Sequence, residues 1–269
     1  MRFVYPNGLA KALTFSYDDG QIFDRRLAEL FRKYGLKATF HLNSGTLNRG
    51  TEETAFVRVD ELDKVYEGHE IACHGVQHRT PSLISKQQLL IEIHDDRKNL
   101  EQMTGKLVQG MSYAFGVYDD EVMQVAKNCG IKYSRTVNAT HGFNAPDNFL
   151  AWHPTCHHDD NLLALGDTFL NVPDYIELPL MYVWGHSFEF GRSGDWSVIE
   201  QFCEKMSGKA DTWYATNMEI YQYITAIRNM ELSADGLTMY NPSVVSVWMK
   251  TANGLVEVKP GETKYIGEH

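Results

Sequence analysis

The sequence of 269 residues lacks several patterns that identify common classes of protein. Its four cysteines are far apart and contain no Cys-x-x-Cys pair, so they give neither a disulfide framework nor a cysteine-type zinc site. It contains no Gly-x-Ser-x-Gly elbow and no phosphate-binding P-loop. Serine-hydrolase and nucleotide-binding interpretations therefore have no support.

Long apolar runs and basic runs are also missing. No stretch of about 18 apolar residues occurs, and the N-terminus has neither a basic region nor a cleavage signature. We therefore expect a cytoplasmic protein without membrane insertion, unless a leader has been removed. The net charge of −10 is not offset by any basic run, which argues against a nucleic-acid partner.

What the sequence does contain is a regular alternation of apolar runs and amphipathic helical patterns. About seven such units follow one another up to residue 230, and they predict an α/β fold with a parallel (β/α) barrel. From residue 231 the pattern changes to short alternating runs separated by turns such as Asp235-Gly236 and Asn253-Gly254. The predicted division is a catalytic barrel at residues 1–230 and a short β-rich C-terminal extension at residues 231–269.

Polar side chains stand at the ends of several predicted strands. Asp18 and Asp19 end the first strand in "TFSYDDG", and His74 follows the third strand, with His78 four residues later in "HGVQH". His186 closes "YVWGH" at the end of a later strand. Because strand ends gather at one mouth of a parallel barrel, we expect these side chains to converge.

The spacing of His74 and His78 would place both imidazoles on one face if the segment turned as a helix. That arrangement is common for a shared metal ion. Two histidines and one carboxylate leave coordination positions open, which is the pattern of a catalytic site. One aspartate of the Asp-Asp pair could then be a ligand while the other lies beside a water on the metal.

Taken in order, "TFSYDDG", "HGVQH" and "YVWGH" resemble the first, second and fifth motifs of the polysaccharide deacetylase family, carbohydrate esterase family 4 with its NodB-homology domain. The resemblance covers roughly residues 10–230 and implies a distorted (β/α) barrel that hydrolyses acetyl groups, usually of N-acetylated sugars, with a metal ion. Carried over by position, it implies Asp18 as the catalytic base and His186 as the general acid. It implies Asp19, His74 and His78 as the metal ligands.

The third motif departs from the family's pattern. Ser112 occupies the place of an arginine that orients the base, three residues before Phe115-Gly116. The backbone N–H of Phe115 is still expected to contact an oxyanion, because that role needs no side chain. The fourth motif is not found, which leaves the partner of the general acid open between Glu189 and Asp167.

The resemblance implies a divalent metal cofactor, with Zn²⁺ expected and Co²⁺ or Ni²⁺ as alternatives, and an acetylated saccharide as the partner. Three other functions stay open: an O-acetyl carbohydrate esterase, a small-molecule amide hydrolase, and a carbohydrate-binding protein without activity. The oligomeric state stays open too. The cluster "HPTCHHDD", His153–Asp160, is interpreted as a polar loop beside the mouth, with a second metal cluster as the alternative.

Overall fold

The computed structural model describes residues 1–267 and shows an α/β architecture built on one large parallel sheet. The strands in chain order are β1 (Arg2–Val4), β2 (Lys11–Asp19), β3 (Thr39–Leu42), β4 (Glu70–Cys73), β5 (Gly110–Ser112), β6 (Tyr133–Arg135), β7 (Cys156–His157), β8 (Leu180–His186), β9 (Thr212–Tyr214), β10 (Glu231–Leu232), β11 (Thr238–Tyr240), β12 (Val247–Thr251), β13 (Gly254–Val258) and β14 (Thr263–Tyr265).

The α-helices lie between these strands. None of the helices within residues 1–267 is long and apolar enough to cross a bilayer. In chain order they are α1 (Asp24–Lys33), α2 (Leu62–Val65), α3 (Lys86–Thr104), α4 (Asp120–Asn128), α5 (Leu162–Leu170), α6 (Ser187–Ser193), α7 (Ser197–Met206) and α8 (Asn217–Arg228).

The parallel sheet has eight strands and curls into an incomplete barrel. Its hydrogen-bonded order is β6-β5-β4-β3-β2-β8-β7, and β9 pairs with the first part of β2. Strands β6 and β7 stand at the two ends of that order, so the barrel is open between them. This arrangement confirms the predicted distorted (β/α) barrel.

Strand β2 explains how the barrel separates its core from its site. Leu13, Phe15 and Tyr17 are buried in the apolar core outside the sheet, where the Phe15 ring lies 4.6 Å from a ring of α1. The alternate residues of the same strand, including Ser16 and Asp18, are buried polar groups. Because side chains alternate across a strand, one strand supplies both the core and the polar interior.

Local end signals fix the long helices. The Ser85 hydroxyl accepts a hydrogen bond from the backbone N–H of Gln88 at the start of α3, and Gly105 ends that helix in the left-handed region at φ 67°. Thr216 and Glu219 form a capping box at the start of α8. Residues close in sequence therefore determine these helix boundaries.

Some of the regular structure depends on tertiary pairing. Strand β8 begins at Leu180, since Pro179 has no N–H with which to extend the pairing. Strand β7 and helix α6 were not predicted at all. The first has only two residues and the second follows β8 without a break, so neither leaves a periodic signal.

The predicted antiparallel β appendage is confirmed as two three-stranded sheets, β10-β11-β14 and β1-β12-β13. Gly236 lies in the turn between β10 and β11 and Gly254 is the first residue of β13, with φ of 73° and 110°, which favours glycine at both positions. Strand β1 comes from the start of the chain and pairs with β12. The proposed division at residue 231 stays a prediction, and residues 268–269 of it lie outside the described residues.

Candidate active site

The strand register sets Asp18 beside His186. Asp18 is the Cα partner of His41 on β3 and of His186 on β8, so the three residues lie at one level of the sheet. Ser112 of β5 is likewise the Cα partner of Arg135 of β6. The carboxyl ends of the parallel strands thus bring the sequence-predicted residues to one mouth.

Asp19, His74 and His78 form a compact set of donor atoms. Oδ1 of Asp19 lies 3.6 Å from Nε2 of His74 and 3.7 Å from Nε2 of His78. Ligand atoms on a shared cation, each about 2.1 Å away, stand roughly 3–3.5 Å apart, which is close to these separations. Two imidazoles and one carboxylate therefore fit a divalent cation.

The segment between the two histidines does not turn as a helix. Strand β4 ends at Cys73, and Gly75 and His78 both take left-handed backbone conformations, with φ of 86° and 55°. Asp19 does the same at φ 81°. The imidazoles converge through strained turns, and strain of this kind in non-glycine residues is often found at functional sites.

Asp96 of α3 holds the loop that carries His74. Its fully buried carboxylate accepts hydrogen bonds from the backbone N–H groups of His74, Gly75 and Ser44, at 2.9, 2.9 and 2.8 Å. Burial raises the pKa of Asp96 to about 6, although the Ser44, His74 and Gly75 donors oppose the rise. This contact was not predicted, because nothing local in the sequence links α3 to the loop.

The protonation of the two histidines suits metal binding. Nδ1 of His74 lies 3.0 Å from the carbonyl oxygen of Ser112, which can only accept. The proton therefore belongs on Nδ1, and Nε2 presents its lone pair to the site. Burial lowers the pKa of His78, which favours its neutral form.

Asp18 is a buried carboxylate with two protein partners. It is 2% exposed, its Oδ1 accepts from the Ser112 hydroxyl at 3.1 Å, and its Oδ2 is ion-paired with Nη2 of Arg135. Burial alone would raise the pKa of Asp18, but the Arg135 guanidinium holds it well below its usual range. The group is therefore ionised.

Arg135 is the functional candidate that the sequence interpretation missed. It is fully buried, donates from Nε to the Ser16 hydroxyl at 3.0 Å and from Nη1 to the Thr136 carbonyl at 3.1 Å, and lies 4.3 Å from the Trp184 ring centre. It supplies from β6 the guanidinium that Ser112 cannot supply from β5. The signal that could have identified Arg135 is its position as a charged residue at the end of a strand.

Glu189 is the partner of His186. Its Oε1 lies 3.3 Å from Nδ1 of His186, and its Oε2 accepts from the His186 backbone N–H at 3.0 Å. Burial lowers the pKa of His186, but Glu189 and the two aspartates outweigh this, so the pKa is raised. The other candidate, Asp167, instead forms an ion pair with Lys205 at 2.7 Å.

Phe115 follows β5 in a tight turn, with a left-handed φ of 57°. Its side chain is 61% exposed, and its ring lies 4.4 Å from the imidazole of His78. Within this turn of the described chain, the backbone N–H groups of Gly116 and Val117 donate hydrogen bonds to the carbonyl oxygens of Tyr113 and Ala114. The position is compatible with the expected backbone contact, which stays a prediction.

Comparisons with known proteins find a matching family model and similar solved structures. Residues 6–134, just under half of the chain, match the family model described as polysaccharide deacetylase. No curated protein sequence matches the chain.

Three solved structures are similar. A candidate polysaccharide deacetylase from Mycobacterium smegmatis has 16% identity and a TM-score of 0.63, with 85% of this chain and 95% of that chain covered. The allantoinase PuuE has 14% identity and a TM-score of 0.62, with 81% and 91% covered. The Streptococcus pyogenes deacetylase PplD has 22% identity and a TM-score of 0.47, and the match spans 51% of this chain and only 61% of that one. At these identities the first two likenesses show the fold alone.

Proposed function

Since residues 6–134 belong to the polysaccharide deacetylase family, we propose that the chain is a metal-dependent hydrolase that removes acetyl groups from N-acetylated saccharides. One observation carries this proposal. The ionised carboxylate of Asp18 lies 3.6 Å from Nε2 of His74, directly beside the donor set of Asp19, His74 and His78. A base next to a metal site is the arrangement that hydrolysis of an amide needs.

We assign Asp19, His74 and His78 as ligands of a divalent cation. Their mixed nitrogen and oxygen donors suit Zn²⁺, with Co²⁺ or Ni²⁺ as alternatives. Such a cation, when bound, polarises the acetyl carbonyl and makes a water molecule more acidic. Ser112 and Asp96 support the assignment, because they fix the orientation of His74 through its ring and its backbone.

Asp18 is assigned as the general base that takes the proton of the attacking water. Arg135 and the Ser112 hydroxyl bind one carboxylate oxygen each and so fix its orientation. The ion pair with Arg135 keeps Asp18 deprotonated, although it also weakens the carboxylate as a base. This environment therefore contributes by fixing the orientation of the Asp18 carboxylate and not by making it a stronger base.

His186 is assigned as the general acid that protonates the leaving nitrogen. An amide nitrogen leaves poorly as an anion, so a proton must reach it as the C–N bond breaks. Glu189 faces Nδ1 of His186 and raises the pKa of the imidazole, which favours the protonated form needed for this step. Acetate and a free amine are the products.

We assign the backbone N–H of Phe115 as a hydrogen-bond donor to the tetrahedral oxyanion. The turn that carries it lies against His78, so the N–H is on an element next to the donor set. A backbone donor held in a fixed turn stabilises developing charge without reorganising.

The chemistry of the acid favours an amide substrate over an ester. An alkoxide leaves more easily than an amide anion, and a dedicated pair such as His186 and Glu189 is therefore of most use on an N-acetyl group. We further propose that residues 1–230 carry the chemistry and that the β-rich extension supports stability or substrate approach.

Acetate release from N-acetylated and O-acetylated oligosaccharides tests the proposal. We expect release from the N-acetylated substrates, its loss with a chelator, and its return when Zn²⁺ is added. Release from O-acetylated substrates alone would instead identify an esterase. No release from any substrate by the metal-loaded protein would contradict the proposal.

A further inference from the structure

A second group of metal-type side chains lies beside the general acid. It consists of His157 at the end of β7, His158 directly after it, and Glu189 in α6, with ligand atoms within 4.8 Å of one another. We propose that these three side chains form a second divalent-cation site, for a transition metal of the Zn²⁺ type. The proposal concerns binding alone and does not depend on the deacetylase activity.

The donor atoms meet at one carboxylate oxygen. Oε2 of Glu189 lies 3.2 Å from Nε2 of His157 and 3.1 Å from Nε2 of His158. Donors about 2.1 Å from a shared cation stand roughly 3–3.5 Å apart, so both separations fit. The first site has the same pattern, in which one aspartate oxygen faces two imidazole Nε2 atoms.

His158 supplies the second, independent observation. Its side chain is fully buried between Tyr17 and Phe190, whose ring centres lie 5.8 and 4.1 Å from the imidazole. Neither ring nitrogen has a hydrogen-bond partner, although Nε2 is within 3.1 Å of Glu189. The approach is close but does not meet the geometry of a hydrogen bond.

An unpartnered buried imidazole is unfavourable, and a cation at Nε2 would satisfy that nitrogen. Asp159 can complete the set, because its Oδ1 lies 3.4 Å from the same Nε2 and the residue is otherwise exposed. Two imidazoles and two carboxylates are a donor set that zinc accepts. Oε1 of Glu189 stays directed at His186, so the carboxylate serves both groups.

The test is the number of Zn²⁺ ions that the full chain binds, measured by equilibrium dialysis and elemental analysis. We expect two per wild-type chain, one for His157→Ala and one for His78→Ala. The matched control is His141→Ala, which removes an exposed histidine paired with Asp160 outside both donor sets and should keep two. Titration with Co²⁺ adds a spectroscopic readout, since the second equivalent should change the visible spectrum of the wild type but not of His157→Ala.

Each outcome separates the two sites. One ion in the wild type, lost in His78→Ala and kept in His157→Ala, would overturn the second site and leave the proposed function standing. One ion lost in His157→Ala and kept in His78→Ala would uphold the second site and overturn the first. Circular dichroism checks the fold of each variant, and His157→Gln or His78→Gln, which keeps more of the side-chain volume, replaces the corresponding alanine variant if that variant does not fold.

Discussion

Replacing Arg135 should disable the base without touching a proposed metal ligand. Arg135→Met keeps much of the side-chain length but removes the charge that faces Asp18, whose carboxylate is only 2% exposed. Removing one partner of a buried ion pair leaves an uncompensated charge, at a cost of about 3–5 kcal/mol in the free energy of unfolding. A misplaced general base typically lowers turnover by about 10²–10⁴-fold.

The assay compares kcat, KM and metal content of Arg135→Met with those of the wild type. We expect kcat to fall by at least about 10²-fold with the metal content unchanged, since Arg135 contacts none of the proposed ligands. Arg135→Lys should lie between the two, because it keeps the charge but not the fork of donors.

Arg26→Met is the matched control. Its guanidinium also lies 4.3 Å from a tryptophan ring, that of Trp196, but it is exposed and pairs with Glu200. This variant should keep full turnover. Wild-type kcat in metal-loaded Arg135→Met, or a loss that only follows lost metal, would refute the idea that Arg135 positions the base.

Three other changes test different parts of the account. His78→Ala should lose the metal of the first site, which elemental analysis would show. His186→Ala should lower kcat/KM on an N-acetylated saccharide by about 10²–10⁴-fold, and by at least about tenfold less on a phenolic acetate, whose leaving group needs little protonation. Asp24→Asn should change how stability depends on pH, because burial raises the pKa of Asp24 from 3.8 to about 7 despite hydrogen bonds from Ser187 and Tyr66. The raised pKa means that the wild type loses stability as pH rises from about 4 to 7, by roughly 4 kcal/mol relative to the variant, as measured by denaturant unfolding.

The results that would contradict these three expectations differ. Metal retained at the first site in His78→Ala would remove that residue from the ligand set. Equal losses on amide and ester would show that His186 does not act as an acid. A constant difference in unfolding free energy between wild type and Asp24→Asn from pH 4 to 8 would show that Asp24 does not titrate as described.

Sequence reasoning located the elements whose signals are local. Ser85 and Gly105 mark the start and the end of α3, and the capping box at Thr216 marks the start of α8. Each of these caps depends on residues a few positions apart. Strand β7 and helix α6 escaped prediction because tertiary pairing with β8, not periodicity, defines the first, and the second is too short to show a period.

The residues of the candidate site also differ in whether the sequence could predict their positions. Asp18 and His186 could be placed at one mouth, since parallel strands end at the same edge of the sheet. The contact of Arg135 with Asp18 could not, because it joins residues 117 positions apart and depends on the register of five strands. The path between His74 and His78 could not be predicted, because a four-residue spacing does not distinguish a helical turn from a loop with left-handed residues.

The central claim is that two adjacent aspartates have different tasks, and comparing Asp18→Asn with Asp19→Asn tests it most directly. Metal content and acetate release from an N-acetylated oligosaccharide would be measured on both variants in parallel. The account predicts that Asp19→Asn loses the metal and the activity together, whereas Asp18→Asn keeps the metal and loses about 10²-fold or more in turnover. Loss of metal in Asp18→Asn with retention in Asp19→Asn would contradict it, as would full turnover by metal-loaded Asp18→Asn.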